Sequence, residues 1–284
     1  MSYDLAVAAA AAPSWRALCS ALALTDLRLL PAEPRDEAWP EGGLRFCRVG
    51  RSTRTTEVDW EAGKLNIVIR ALASPDDCEL ALRAAEAAAR LADAASVEAD
   101  YFGPVEIGEL YRLHTADWMH EQAVSGTRAL SALIRDGKGP MQMPGPNRSC
   151  FIGERLLAEL EAAGPPETLS DRVLSTMRRV QWDVPDGFRD AGVFVSGGDD
   201  EQGRETRFAV WLPDENLVLP RVDYVALRVT EGEIVMVPFA AVAELAGPHA
   251  TLLDECQLLL RAIGGAEWKT VIARARPLAA SPRR

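Results

Sequence analysis

The chain has 284 residues, with 42 Asp and Glu against 31 Lys and Arg and a formal net charge of −11. Its 48% hydrophobic content is enough for one large or two small domains with a real core, which excludes wholesale disorder. A pI near 4.9 argues against sequence-independent nucleic-acid binding, which needs a basic surface to displace phosphate counterions.

Met1 to Pro13 is apolar, but it lacks a positively charged leading segment and carries Asp4 early, so it does not read as a signal peptide. No run reaches the roughly 18–20 uncharged apolar residues of a membrane span. Five cysteines (Cys19, Cys47, Cys78, Cys150, Cys256) are odd in number, widely spaced and without a C-x-x-C pair. These features predict a cytoplasmic protein with free thiols, no membrane segment, no metal and no cofactor. Only Lys64, Lys138 and Lys269 are lysines, which leaves 28 arginines among the 31 basic residues. That bias, with abundant alanine, fits codon usage in a GC-rich bacterial genome better than selection for guanidinium forks.

Residues 3–9 alternate weakly and read as a strand, and Pro13 sits where the first turn of a short helix carrying Trp15, Leu18, Cys19 and Leu22 would tolerate it. The stretch from Leu30 to Gly43 reads as a loop. Strands follow at Leu44–Val49, Thr55–Trp60 and Lys64–Ala71, the last two joined around Ala62-Gly63. Leu65, Ile67 and Ile69 share one face of the last strand, while Lys64, Asn66 and Arg70 take the other. Ser74-Pro75-Asp76-Asp77 predicts a helix start, and Cys78, Ala81, Leu82, Ala85, Ala88 and Ala92 form the apolar stripe behind it. A second long helix spans Thr115 to Asp136, with Met119, Ala123, Gly126, Leu130 and Leu133 at helical spacing.

The Gly/Pro/Met segment 139–147 is the clearest break in the pattern, so the sequence divides into an N-terminal subdomain (1–138), a linker (139–147) and a C-terminal subdomain (148–284). Helices are expected at Gly153–Ala163 and from Ser170, the latter with Leu169 and Leu174 as a hydrophobic staple. Strands follow at Val193–Val195, Arg207–Leu212, Tyr224–Val229 and Ile234–Val237. A short helix (Phe239–Leu245), an ambiguous apolar run (Leu252–Ile263) and a helix from Ala266 close the chain. Strands and helices in runs, without strict βαβ alternation, predict an α+β fold of mixed or antiparallel sheets with helices packed on them.

Four segments carry candidate chemistry. His114, Asp117, His120 and Glu121 gather acid–base groups. However, His114 and His120 lie about 240° apart around a regular helix, and no H-E-x-x-H pattern is present. Arg48, Arg51 and Arg54, interleaved with Ser52, Thr53, Thr55 and Thr56, are the densest donor segment, suited to a phosphate or an acidic loop. Asp199, Asp200 and Glu201 lie in a Gly-rich loop that is neither a P-loop nor a calcium loop but would dock on a basic partner. Met141 and Met143 would offer adaptable contacts if exposed.

No nucleophile elbow, dinucleotide fingerprint, kinase set or deaminase signature is present. Acidic charge without an assembled reactive constellation points to a binding protein acting by occupancy. The leading expectation is an immunity protein that neutralises a basic toxin or secreted effector. The alternatives are an enzyme acting through His114/Asp117/His120 or Arg48–Arg54, and an accessory protein of a secretion system or other assembly.

Overall fold

Alternation of apolar and polar residues at the start of the chain finds its partner sixty-odd positions later. In a computed structural model, which describes residues 2–30, 38–196, 205–230 and 232–279, β1 (Tyr3–Ala8) pairs antiparallel with the strand Lys64–Ile69. Tyr3, Leu5 and Val7 are thereby buried beside Leu65, Ile67 and Ile69. The fold is α+β, with antiparallel and mixed sheets. It divides into two compact units, Met1–Asp183 and Val184–Arg284.

In the first unit, β1 joins β2 (Leu27–Leu30), β3 (Leu44–Arg48), β4 (Thr56–Glu61), β5 (Lys64–Ile69), β6 (Ser96–Ala99) and β7 (Gly103–Glu106). They form one sheet of order β2-β3-β4-β5-β1-β6-β7, antiparallel at every pairing. Ala62 and Gly63, both at positive φ, close the tight β4–β5 turn. One face of the sheet packs on α1 (Trp15–Leu22) and α2 (Pro75–Leu91) around Leu5, Phe46, Val58, Ile67 and Leu82. The small alanines of α2 let its axis lie close to the strands. Ser14 caps α1 by accepting from the Ala17 N–H, so Pro13 precedes the helix instead of occupying its first turn.

The rest of the unit comprises α3 (Leu110–Leu113), α4 (Ala116–Arg135), a hairpin of β8 (Met141–Pro144) and β9 (Ser149–Ile152), then α5 (Glu154–Ala162) and α6 (Leu169–Trp182). The segment expected to be a linker is therefore part of a ladder inside the first unit, and the units divide at Asp183/Val184 instead. Pro144 is tolerated because it ends its strand, where no ladder donor is lost. Gln181 of α6 grips the hairpin tip: its Oε1 accepts from the Asn147 and Arg148 N–H groups at 2.9 and 3.0 Å, and its Nε2 donates to the Arg148 carbonyl at 2.6 Å. A Cβ on Gly145 would lie 2.3 Å from that amide, so the glycine is required by contact, not by φ.

In the second unit, β10 (Phe188–Asp190), β13 (Asn216–Pro220), β17 (Gln257–Leu260) and β16 (Ala250–Leu252) form one mixed sheet. A second mixed sheet holds β11 (Val193–Ser196), β12 (Thr206–Trp211), β14 (Tyr224–Thr230) and β15 (Glu233–Pro238). Their core includes Ala209, Trp211, Leu219 and Val237, closed by α7 (Val242–Ala246) and α8 (Gly265–Ala275). Trp211 meets Trp268 edge-on at 5.1 Å, and the Trp268 indole donates to the Arg228 carbonyl. The ambiguous run 252–263 thus holds the end of β16 at Leu252 and, after a bend, the strand β17 at Gln257–Leu260.

Candidate binding surface

The arginine-rich segment between β3 and β4 folds back on its own chain. The Arg48 guanidinium, 12% exposed, meets Asp26 at 3.1 Å and Asp76 at 3.2 Å, and Arg51 shares both carboxylates. Behind them Asp77 is fully buried at the start of α2. Its Oδ2 accepts from the backbone N–H groups of Thr53, Arg54 and Ser74 and from the hydroxyls of Thr53 and Ser74, all at 2.9–3.1 Å. Ser74 and Asp77 also form a reciprocal capping box. The Arg48 and Arg51 guanidiniums and the Thr53 and Arg54 amides are therefore committed to Asp26, Asp76 and Asp77, an arrangement that holds a loop against a helix start. Arg54 is largely buried as well, and desolvation works against its charge.

Of the two methionines, Met143 is buried opposite Cys150 and Met141 is half-buried. Asp199, Asp200 and Glu201 lie outside the described residues, in the connection between β11 and β12.

The histidine cluster is dispersed. Asp117, His120 and Glu121 are exposed on α4, whereas His114 is buried where α3 ends. Its Nδ1 lies 2.7 Å from the Leu110 carbonyl, which can only accept, so Nδ1 carries the proton. Nε2 is then the acceptor for the Tyr3 hydroxyl at 2.6 Å. Tyr3, Phe102 and Trp118 pack edge-on against the imidazole. Among the described residues no group of three His, Cys, Asp or Glu side chains is placed to hold a metal ion.

Desolvation lowers the His114 pKa and keeps the ring neutral. The unfolded chain therefore takes up this proton first as pH falls, and the stability the neutral ring contributes is lost below the ordinary histidine range near 6.5. Thermal unfolding followed between pH 8 and 5 should show a falling midpoint across that range. The fall should be smaller in His114→Gln and unchanged in His120→Ala.

The residues that stand out are those on the uncovered face of the seven-stranded sheet. The pleat that buries Leu5, Val58 and Ile67 turns Asp4, Glu57, Asp59, Glu61, Glu98 and Glu106 to the opposite side, against Arg45 and Lys64 as the bases of the same strands. Asp4 sits across from Val68, which sits across from Glu57. Ala6 sits between Asn66 and Glu98. Beyond the strand ends, Arg70 pairs with Glu57, and Asp100 accepts from the Asp4 N–H.

At the β2–β3 edge this face is covered: Arg28 donates to Pro146 and Asn147 of the hairpin turn and lies over the Trp182 ring. From β4 to β7 none of the residues named on it is buried. Asp4, Ala6, Asn66, Val68, Glu98 and Asp100 line a shallow hollow of about 460 Å³ there. The chemistry such a surface offers is recognition of positive charge over a broad, backbone-rigid area.

The alternation in β1 and β5 is legible in the sequence but their pairing is not, and that pairing is what gathers these acids into one field. No helix among the described residues is long and apolar enough to cross a membrane. Compared with known proteins, the chain matches no family model, no curated protein and no solved structure.

Proposed function

We propose that this chain is an acidic bacterial cytosolic protein that acts by occupying another protein, most specifically an immunity protein that neutralises a basic toxin or secreted effector. The observation that carries the reading is the acidic face from β4 to β7. A seven-stranded antiparallel sheet holds its backbone nearly rigid, so complementary charges meet it with little ordering cost, and the surplus of carboxylates speeds encounter with a basic partner. The net charge of −11 supports the same reading. The His114 side chain, on which the histidine-centred enzymatic alternative draws, is already engaged by Tyr3 and the Leu110 carbonyl.

The test is protection in cells. The reading frame adjacent to this chain's own gene is expressed alone and together with it. The expected result is growth arrest by the neighbour alone and recovered growth on co-production, with the two proteins eluting as one complex. A harmless neighbour, or arrest that co-production does not relieve, would overturn the proposal.

A further inference from the structure

Among the described residues, the buried hydroxyls that lack a hydrogen-bond partner are those of Thr127, Ser131 and Ser170, and all three lie at the junction of α4 and α6. Each residue is more than nine-tenths buried, at 3%, 4% and 3% exposure. Native structures pair nearly all such groups, because each unmade bond leaves an uncompensated desolvation penalty. Thr127 and Ser131 are one helical turn apart on α4 and share a face with Arg128 and Arg135. That face and the start of α6 at Leu169 and Ser170 line a groove of about 490 Å³, within the range of small-ligand sites.

The rest of the lining decides the ligand class. Val124, Ala132, Pro166 and Leu169 give the groove an apolar wall. Arg135 is paired with Glu161 of α5, but Arg128 is exposed and has no acceptor among the described residues. A carboxylate offers only acceptors, and the groove offers a guanidinium fork and hydroxyls that can donate. Ser131 and Ser170 both line the groove, and a χ1 change would turn their hydroxyls toward it. Glu167, on the same wall, disfavours a second negative charge on the ligand.

We propose that the α4–α6 groove is a binding site for a small amphiphilic monocarboxylate. Its aliphatic body lies on Val124 and Leu169, and its head group is held by Arg128 and the serine hydroxyls. The site is separate from the acidic sheet face, and neither proposal depends on the other.

Calorimetric titration of the full chain with sodium decanoate tests it. Saturable binding at one site is expected, weakened at least tenfold by Arg128→Glu and abolished by Ala132→Trp, which fills the groove. Both positions are exposed, so circular dichroism should show intact folds. Ser131→Ala with Ser170→Ala should weaken decanoate severalfold while raising the unliganded thermal midpoint by about 2 °C or more, because hydroxyls that serve only the ligand destabilise the empty protein. Decylamine, with the same chain and the opposite charge, should not compete. Absence of saturable decanoate binding, equal affinity for decylamine, or binding unchanged in both Arg128→Glu and Ala132→Trp would overturn the proposal.

Discussion

Asp77→Ala should lower the stability of the first unit by about 3–5 kcal/mol, the range for breaking a buried, hydrogen-bonded charge network. The carboxylate is fully buried and takes five donors on one oxygen, three of them backbone N–H groups of Thr53, Arg54 and Ser74. Alanine leaves those amides without an acceptor and removes the capping box of α2, whose loss alone costs about 0.5–2 kcal/mol. Because α2 packs on the sheet, a frayed first turn also loosens Cys78, Ala81 and Leu82. Asp76→Ala provides the contrast. Its carboxylate pairs with Arg48 and Arg51 but stays partly exposed, and the expected loss is about 1 kcal/mol or less. Urea unfolding of both variants measures the difference. Equal, small losses would mean that the loop 49–55 is held by packing and not by Asp77.

The second large effect is kinetic. Reversing Asp4, Glu61 and Glu98 to lysine adds six units of positive charge to the uncovered sheet face without touching a buried residue. Association with a basic partner should slow by about 10–100-fold at low ionic strength, with the dissociation rate changed much less. Raising salt shortens the Debye length to about 3 Å at 1 M, so the variant and the parent should converge there. Glu79→Lys with Glu86→Lys disrupts two ion pairs on the outer side of α2 and should leave the association rate within about twofold. Stopped-flow mixing with the product of the adjacent reading frame reads these rates.

Local signals carried the α+β class and most elements. Ser74-Pro75-Asp76-Asp77 marked the start of α2 because capping chemistry is local, and Leu65, Ile67 and Ile69 marked the buried face of β5 because its period is short. Four-residue strands such as β2, β6 and β7 escaped, since so short a run shows no period and their stability comes from neighbours. The Gly/Pro/Met segment reads as a linker because proline inside a strand removes a ladder donor, whereas Pro144 ends a strand where no donor is needed. Ser170 resembled a helix cap, but a short 3₁₀ turn at Pro166–Thr168 starts the helix earlier and carries Ser170 inside it, leaving its hydroxyl unpartnered. Likewise, Leu133 shares the helical spacing of Leu130, yet it is exposed and Ile134 is buried in its place, because the stripe on α4 drifts around a 3.6-residue turn.

Arg48, Arg51 and Arg54 show the limit of reading one segment alone. Their composition matched a site for an external anion, and the chain's own Asp26 and Asp76 receive the guanidiniums of the first two. Partners that lie 22 to 28 positions away are invisible to local pattern. The acidic face was hidden for the same reason: Asp4, Asn66 and Glu98 become neighbours only once β1 is inserted between β5 and β6.

Carboxyl groups can be counted directly. Carbodiimide coupling of an amine to exposed carboxylates, read by mass spectrometry, should modify Asp4, Glu61, Glu98 and Asp100 in the free chain. In the complex with the adjacent gene product those four should be protected at least severalfold, while Glu79 and Glu86 on α2 react as before. Protection of α2 with continued labelling of the sheet face would place the partner elsewhere and contradict the account.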